Sequence, residues 1–198
     1  MIDKIIGLEW DFLQEIQHTE GRADCQDDFN TFSIMRSSQF KAWDQAVVES
    51  YRNDLLQYKE NGRNPIYEKY GLMMEHSDPE YYASIKHRLP ALSAEQKQLI
   101  NRIVQKQLHW KVDFGKLYPN LNAQGRRLYS FEDTKAETSF ETYLRGELAT
   151  YSVNTLRLYE KQHASMAEKG QNLVEETMKH TVSAYGYRSL EAANERAI

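Results

Sequence analysis

Three acidic residues fall on the apolar faces of predicted helices, where a charge is unusual. The residues three or four positions from Glu9, Asp54 and Glu147 are mostly apolar or aromatic, so each acid lies on the apolar stripe of its helix. A buried carboxylate is costly unless it is paired, hydrogen-bonded or bound to a metal. For any one acid, a structural ion pair or a hydrogen bond from a tyrosine is the simpler interpretation. Three such acids on three helices favour a shared polar site inside the protein.

Five arginines lie close in sequence to turns or to other polar residues. Arg22, Arg63 and Arg126 each follow a glycine, and Arg36 and Arg145 lie within polar stretches. The guanidinium group is a bidentate ligand for carboxylates and phosphates. If these turns meet at one end of a helical bundle, the arginines would bind an anion or pair with the inner acids. The simpler interpretation is a glycine that ends a helix, followed by a solvated charge.

Two E-x-x-H strings have the spacing of helical di-metal sites, Glu15 to His18 and Glu160 to His163. Both pairs are predicted to face water, because they fall opposite the apolar stripes of their helices. We therefore interpret them as chance occurrences. A metal site built instead on Glu9, Asp54 and Glu147 would be rich in oxygen ligands, which suits magnesium or manganese. A divalent metal cofactor stays an open alternative.

Composition excludes several classes of partner. The chain of 198 residues has a net charge of −4 and no basic run, which disfavours nucleic-acid binding. Its first residues contain no long apolar run, so neither a signal peptide nor a membrane span is predicted. A single cysteine, Cys25, rules out an internal disulfide and favours a reducing compartment. Cys25 is more typical of an inert thiol than of a nucleophile. We expect a soluble cytoplasmic protein.

The spacing of apolar residues predicts helices throughout and no strand. The predicted helices cover about 2–18, 29–35, 38–60, 64–74, 79–85, 93–114, 139–167 and 171–185, with a further turn after Ser189. The longest irregular segment is 118–138, and long loops of this kind are often functional. The expected fold is all-α, a single domain over 1–198 that forms a helical bundle or an irregular array of about seven helices.

Several strings of the chain resemble a prokaryotic family known only as domain of unknown function 4125. They cover essentially the whole chain and include Gly21-Arg22-Ala23 with Cys25-Gln26, Met35-Arg36, Gly62-Arg63-Asn64 with Glu68-Lys69-Tyr70, and Glu141-Thr142-Tyr143-Leu144-Arg145-Gly146-Glu147-Leu148. The resemblance implies a free-standing domain, bacterial in origin, and no activity. It draws attention to Arg22, Arg36, Arg63, Glu68, Arg145 and Glu147.

The first functional hypothesis is a small-molecule enzyme or ligand-binding protein whose site lies inside the bundle. Its reaction class cannot be assigned from these residues. The expected catalytic residues are Glu9, Asp54, Glu147 and Tyr151. A small anionic ligand would be held by Arg22, Arg36, Arg63, Asn64, Glu68 and Arg145. Carboxylates whose pKa is raised by burial suit general acid-base catalysis.

Two other hypotheses use the same residues differently. In a structural or interaction module, the acids would form buried ion pairs that set helix register. Self-association into a homo-oligomer would then involve Tyr81, Tyr82 and Trp110. A weaker alternative is a carboxylate-rich metal-dependent helical enzyme.

Overall fold

A computed structural model describes residues 1–16 and 26–197 of the chain. These residues contain helices and no strand, so the all-α prediction is confirmed, although there are eleven α-helices rather than about seven. None of the described helices has the length and apolarity needed to cross a membrane. The helices are α1 (Ile2–Gln14), α2 (Phe29–Lys41), α3 (Gln45–Glu60), α4 (Pro65–Ser77), α5 (Pro79–Ile85), α6 (Ala94–Leu117), α7 (Pro119–Ala123), α8 (Phe140–Leu148), α9 (Val153–Glu168), α10 (Leu173–Ala184) and α11 (Leu190–Arg196).

Several helices start at the capping residues that the sequence predicts. The Asn64 side chain accepts hydrogen bonds from the backbone N–H groups of Ile66 and Tyr67, and Pro65 occupies the first turn of α4. Ser93 and Gln96 form the expected capping box at the start of α6. Ser189 caps α11. These ends form locally, because a side chain supplies the partner that the first turn of a helix lacks.

The predicted helix over 139–167 is wrong, because two helices replace it. α8 ends at Leu148, and Ser152 begins α9 by accepting a hydrogen bond from the N–H of Thr155. The break rotates the buried face of the second helix. His163, predicted to face water, is consequently 2 % exposed. The predicted helix over 38–60 is likewise split, with Asp44 at the N-terminus of α3.

The irregular segment 118–138 contains α7 and a short 3-10 helix, Ser130–Glu132. Its later part is tied to the start of α8. Arg126 donates hydrogen bonds of 2.9 Å to the backbone carbonyl and the hydroxyl of Thr138. The N–H of Phe140 donates to the carbonyl of Arg127 at 2.7 Å. These bonds attach the segment to the helix that carries Glu147.

The main core is built from α1, α2, α3, α6, α8 and α9, and a smaller apolar cluster joins Phe114 of α6 to α10 and α11. α4 packs against α8 at very close range. A Cβ atom at Gly146 would lie 2.6 Å from Cγ of Met73 and 3.0 Å from the backbone oxygen of Lys69. Gly146 therefore lets α4 approach α8 closely enough for Lys69 to reach Glu147.

Gly146→Ala is expected to lower the free energy of unfolding by about 1–3 kcal/mol, because the added methyl group overpacks the α4–α8 contact. In an exposed helix the same change gains up to about 1 kcal/mol, because alanine has the higher helix propensity. Gly7→Ala in α1 is the matched control, since nothing lies within 4 Å of a Cβ atom there. Urea denaturation of both variants checks the prediction. Equal stabilisation of the two would contradict it.

Candidate functional site

Glu9 of α1 and Arg36 of α2 form a bidentate ion pair inside the helical array. Arg36 Nε donates to Glu9 Oε2 at 2.7 Å, and its Nη2 donates to Oε1. The hydroxyl of Tyr51 in α3 donates to the same Oε1 at 2.6 Å. Glu9 is 3 % exposed. The contact joins α1, α2 and α3 through a single carboxylate.

Glu147 of α8 accepts four hydrogen bonds. Its Oε1 accepts from Arg36 Nη1 at 2.9 Å, from Gln39 Nε2 at 3.1 Å and from the Tyr151 hydroxyl at 2.9 Å. Its Oε2 accepts from Lys69 Nζ of α4 at 2.9 Å. Arg36 Nη1 also donates to Gln39 Oε1 at 2.7 Å. Arg36 therefore bridges the two buried acids. We call Glu9, Arg36, Lys69 and Glu147 the buried charge network.

The charges of this network balance. Burial opposes the ionisation of Glu147, but Arg36 and Lys69 outweigh it and hold the pKa of that carboxyl well below its usual range. Burial likewise opposes the charge on Arg36 and on Lys69, yet the neighbouring carboxylates raise the pKa of both groups. Two carboxylates therefore face two cations, with no net charge left over.

The two tyrosines that donate to the buried charge network, Tyr51 and Tyr151, stay protonated. Burial, followed by the nearby carboxylates, raises the pKa of the Tyr51 and Tyr151 hydroxyls well above the ordinary value. Tyr151 was expected to act on a ligand, but its hydroxyl is committed to Glu147 and the residue is 1 % exposed. All four carboxylate oxygens of Glu9 and Glu147 accept hydrogen bonds, so the network is saturated. Its chemistry is that of a structural clamp between helices.

The other predicted ligand-binding residues also have partners. Arg63 donates two 2.8 Å hydrogen bonds to Glu68, which is 4 % exposed and also accepts from Tyr58 at 2.9 Å. Arg145 is paired with Glu141 and donates to Asn101 at 2.8 Å. Asn64 caps α4 and donates to the Phe12 carbonyl at 2.8 Å. Arg22 and Cys25 lie outside the described residues, as does His18.

Asp54 differs from the other buried acids. The described residues include four, Glu9, Asp54, Glu68 and Glu147, and Asp54 alone has no cation partner. Its Oδ2 accepts from the N–H of Ser152 at 3.0 Å and from the Thr155 hydroxyl at 2.6 Å. Burial raises its pKa, and these hydrogen bonds partly oppose the shift. Oδ1 has no hydrogen-bond partner within the described part of the chain, and it is not among the buried atoms there that lack one, so this oxygen is open to solvent.

Asp133 performs the same task at the start of α8 and provides a comparison. It accepts from the N–H of Ser139 and from the hydroxyl of Thr142, the equivalent positions of that helix. Asp133 uses one oxygen for each bond, whereas Asp54 makes both bonds with Oδ2. Capping α9 therefore leaves the second oxygen of Asp54 unused.

A cavity of about 200 Å³ lies beside Asp54, at the ends of α3 and α8 and the starts of α6 and α9. We call it the Asp54 cavity. It is lined by polar side chains and by the turn between α8 and α9: Asp54, Gln57, Tyr58, Asn61, Arg63, Pro90, Gln96, Ala149, Thr150, Tyr151 and Ser152. Asp54 and Arg63 are its two charged side chains. The fold thus brings Asp54 to a cavity but keeps it out of the network of Glu9 and Glu147.

A second cavity of about 240 Å³ lies between the ends of α2 and α9 and helix α10. Its lining carries charges of both signs, from Lys41 and Lys169 and from Asp44 and Glu176. Among the described residues, the buried side-chain atoms without a hydrogen-bond partner are Ser38 Oγ and Asn122 Oδ1, and neither residue lines this cavity or the Asp54 cavity. Within the described residues, no group of three or more His, Cys, Asp or Glu side chains could hold a metal ion. Glu9, Asp54 and Glu147 therefore do not assemble into the acid-rich metal site that the sequence left open.

Sequence reasoning missed Lys69, Tyr51 and Gln39. Lys69 is 9 % exposed, and its ammonium lies 3.7 Å from the centroid of the Tyr143 ring. The sequence of α4 contained a signal for its burial. Glu68 and Lys69 are adjacent, and if this short helix packs on two sides, they cannot both point to solvent. A buried lysine requires an acid partner, and Glu147 is that acid.

His163 was also misassigned, and it belongs to a second buried polar group. Its Nδ1 lies 2.7 Å from the carbonyl of Tyr159, and its Nε2 lies 3.0 Å from Gln107. Its ring stacks on Trp110 at 5.2 Å between centroids. Trp110, predicted as part of an association surface, is 6 % exposed and belongs to the core, whereas Tyr81 is 44 % exposed.

Comparison with known proteins gives a family and no activity. No curated protein and no solved structure matches the chain. One family model, described as "Protein of unknown function (DUF4125)", matches residues 1–195. The match covers essentially the whole chain, as the resemblance noted in the sequence implies. The chain belongs to the DUF4125 family.

Proposed function

We propose that the protein is a small-molecule enzyme or ligand-binding protein whose site is the Asp54 cavity. The observation that carries this proposal is the unused oxygen of Asp54, a residue only 7 % exposed. Oδ1 accepts no hydrogen bond from the described residues and is open to the cavity, so a donor group of a ligand can reach a carboxylate that is otherwise largely buried. The nearby cavity provides the room for that ligand.

The buried charge network has a supporting role in this proposal. Tyr151 donates to Glu147 and is followed directly by Ser152, whose N–H holds Asp54. The network therefore positions the turn that forms one wall of the Asp54 cavity. Preorganisation of this kind keeps a binding group within reach of its ligand without a cost at the moment of binding.

Thermal melting against a panel of small amines, alcohols, carboxylates and nucleotides tests the proposal. A compound that binds the folded state at 100 times its Kd stabilises the protein by about 2.7 kcal/mol. For a domain of this size that corresponds to a rise in Tm of roughly 5–10 °C. We expect Asp54→Asn to abolish the rise, because the amide loses the negative charge and one of its two acceptor atoms.

Asp133→Asn is the matched control, since Asp133 makes the same two capping contacts at α8 and does not line the Asp54 cavity. It should keep the ligand-induced rise in Tm. A compound that protects Asp54→Asn as well as the wild type would place its site elsewhere. A panel in which no compound protects the wild type would count against the proposal as a whole.

The second candidate function is a structural or interaction module, and the saturation of the buried charge network favours it. A closed set of ion pairs that joins α1, α2, α4 and α8 is what fixing helix register requires. An exposed aromatic pair provides a contact surface in this case, since Phe131 is 83 % exposed and stacks on Tyr129 at 5.3 Å. This candidate takes the lead if the ligand panel gives no protection.

A further inference from the structure

We propose that the ligand of the Asp54 cavity carries a cationic nitrogen, a primary ammonium or a guanidinium group, which donates to Oδ1 of Asp54. This inference rests on the function proposed above and narrows it to a class of ligand. It reverses the expectation, drawn from the arginines in the sequence, that the ligand is an anion.

The charge of the cavity lining favours a cation. The positive charge of Arg63 is matched by Glu68, through two hydrogen bonds of 2.8 Å. The negative charge of Asp54 has no such partner. Burial raises the pKa of Asp54, and the hydrogen bonds from Ser152 and Thr155 oppose that shift by favouring the ionised form. The cavity therefore has one negative charge in excess.

An anion would meet an unfavourable arrangement in the same place. It would lie beside the carboxylate of Asp54, and a like charge at close range is repelled strongly where water is partly excluded. Arg63, the positively charged side chain of the lining, already donates through Nε and Nη2 to Glu68. An anion could use only the N–H groups that Glu68 leaves, on a guanidinium whose positive charge is already matched by a buried carboxylate.

The remaining lining suits a ligand rich in hydrogen-bond donors. The side chains of Gln57 and Asn61 carry amide oxygens as well as amide N–H groups. Gln96 adds no free acceptor, because its Oε1 accepts from the N–H of Ser93 at 3.0 Å and its Nε2 donates to the Tyr151 carbonyl at 3.4 Å. Amide groups and a carboxylate together match an amine in a polar molecule better than they match an apolar one.

The size of the cavity limits the ligand. Its volume of about 200 Å³ compares with roughly 30 Å³ for one water molecule in the liquid. A compound of the size of a diamine or a small guanidino amine fits that space. Most drug-sized ligands do not, because their sites measure about 300–1,000 Å³.

Isothermal titration calorimetry with three four-carbon compounds tests the charge preference directly. Putrescine, 1,4-butanediol and succinate have similar length and carry cationic, neutral and anionic ends, and agmatine adds a guanidinium group. We expect putrescine or agmatine to bind the wild type and Asp133→Asn. We expect at least tenfold weaker binding of the diol and of succinate, and a loss of at least tenfold in amine affinity for Asp54→Asn.

The outcomes separate this inference from the proposed function. Suppose that succinate or the diol binds as tightly as the amines and that Asp54→Asn abolishes this binding. That result would overturn the cationic assignment but would keep the cavity as a binding site. Amine binding that Asp54→Asn retains would also overturn it. If none of these compounds binds and the wider melting panel gives no protection, the proposed function fails and this inference fails with it.

Discussion

Glu147→Gln is expected to lower the free energy of unfolding by about 3–5 kcal/mol, the usual cost of removing one partner from a buried ion pair. All four groups that contact the Glu147 carboxylate are donors: Arg36, Gln39, Lys69 and Tyr151. A glutamine has one acceptor oxygen and one NH2 group. Whichever way the amide turns, its NH2 group meets a donor, either the ammonium of Lys69 or the three donors at Oε1.

The loss of charge adds to the loss of acceptors. In the variant, Arg36 keeps Glu9 as its partner, but Lys69 keeps none. An ammonium buried without a carboxylate is strongly disfavoured in a medium of low dielectric constant. The substitution changes neither the length nor the shape of the side chain. Its effect therefore reports electrostatics and hydrogen bonding, with no cavity term.

Urea denaturation of the wild type and of Glu147→Gln measures the difference, with Glu160→Gln as the control. Glu160 also pairs with an arginine, Arg102, but that pair is on the surface, with 54 % and 35 % of the two side chains exposed. Exposed pairs contribute about 1 kcal/mol or less. Equal effects of the two substitutions would show that the buried charge network adds no more than a surface pair.

The double variant Lys69→Met/Glu147→Gln tests whether the unpaired ammonium is the cause. If it is, the double variant should be at least about 1 kcal/mol more stable than the sum of the two single effects predicts, because coupled residues are not additive. Strict additivity would assign the loss to the hydrogen bonds at Oε1 instead.

His163 is expected to make the protein sensitive to mild acid. Burial lowers its pKa from the ordinary 6.5 to about 4, and the hydrogen bond to the Tyr159 carbonyl only partly opposes this. The folded pKa is depressed, so the unfolded chain takes up a proton that the folded protein resists as pH falls below 6.5. The stability contributed by the neutral ring is complete above pH 6.5 and is lost progressively towards pH 4. Linkage gives a loss of about 2 kcal/mol between pH 7.5 and pH 5.

Free energies of unfolding measured in urea between pH 7.5 and pH 5 check this expectation. Glu147 does not interfere in that range, because its pKa is lowered and its contribution is lost only under more acidic conditions. His163→Gln should be less stable than the wild type at pH 7.5 and should have a flatter profile. His87→Gln, at an exposed position, should keep the wild-type slope. A slope that survives in His163→Gln would assign the acid sensitivity to other groups.

Local signals in the chain predicted the helix starts well and the helix breaks poorly. Asn64 with Pro65 and Ser93 with Gln96 form caps from neighbouring residues, so their effect is readable in sequence. The break between α8 and α9 depends also on Asp54, which lies far away in the chain and accepts from Ser152. The sequence predicted one continuous helix with one apolar face across that break, and this prediction put His163 on the solvent face.

The sequence by itself determined that this protein is all-helical and that Glu9, Asp54 and Glu147 lie in its interior. Helical periodicity is a local property, and an acid on an apolar stripe is visible without any partner. Only the tertiary structure decided which acid meets which cation. Arg36 and Lys69 come from helices distant in sequence and neutralise Glu9 and Glu147, while the end of α3 leaves Asp54 at a cavity without one. The reason is physical: a charge pair depends on distances of a few ångströms between helices, and those distances are set by the packing of the whole core.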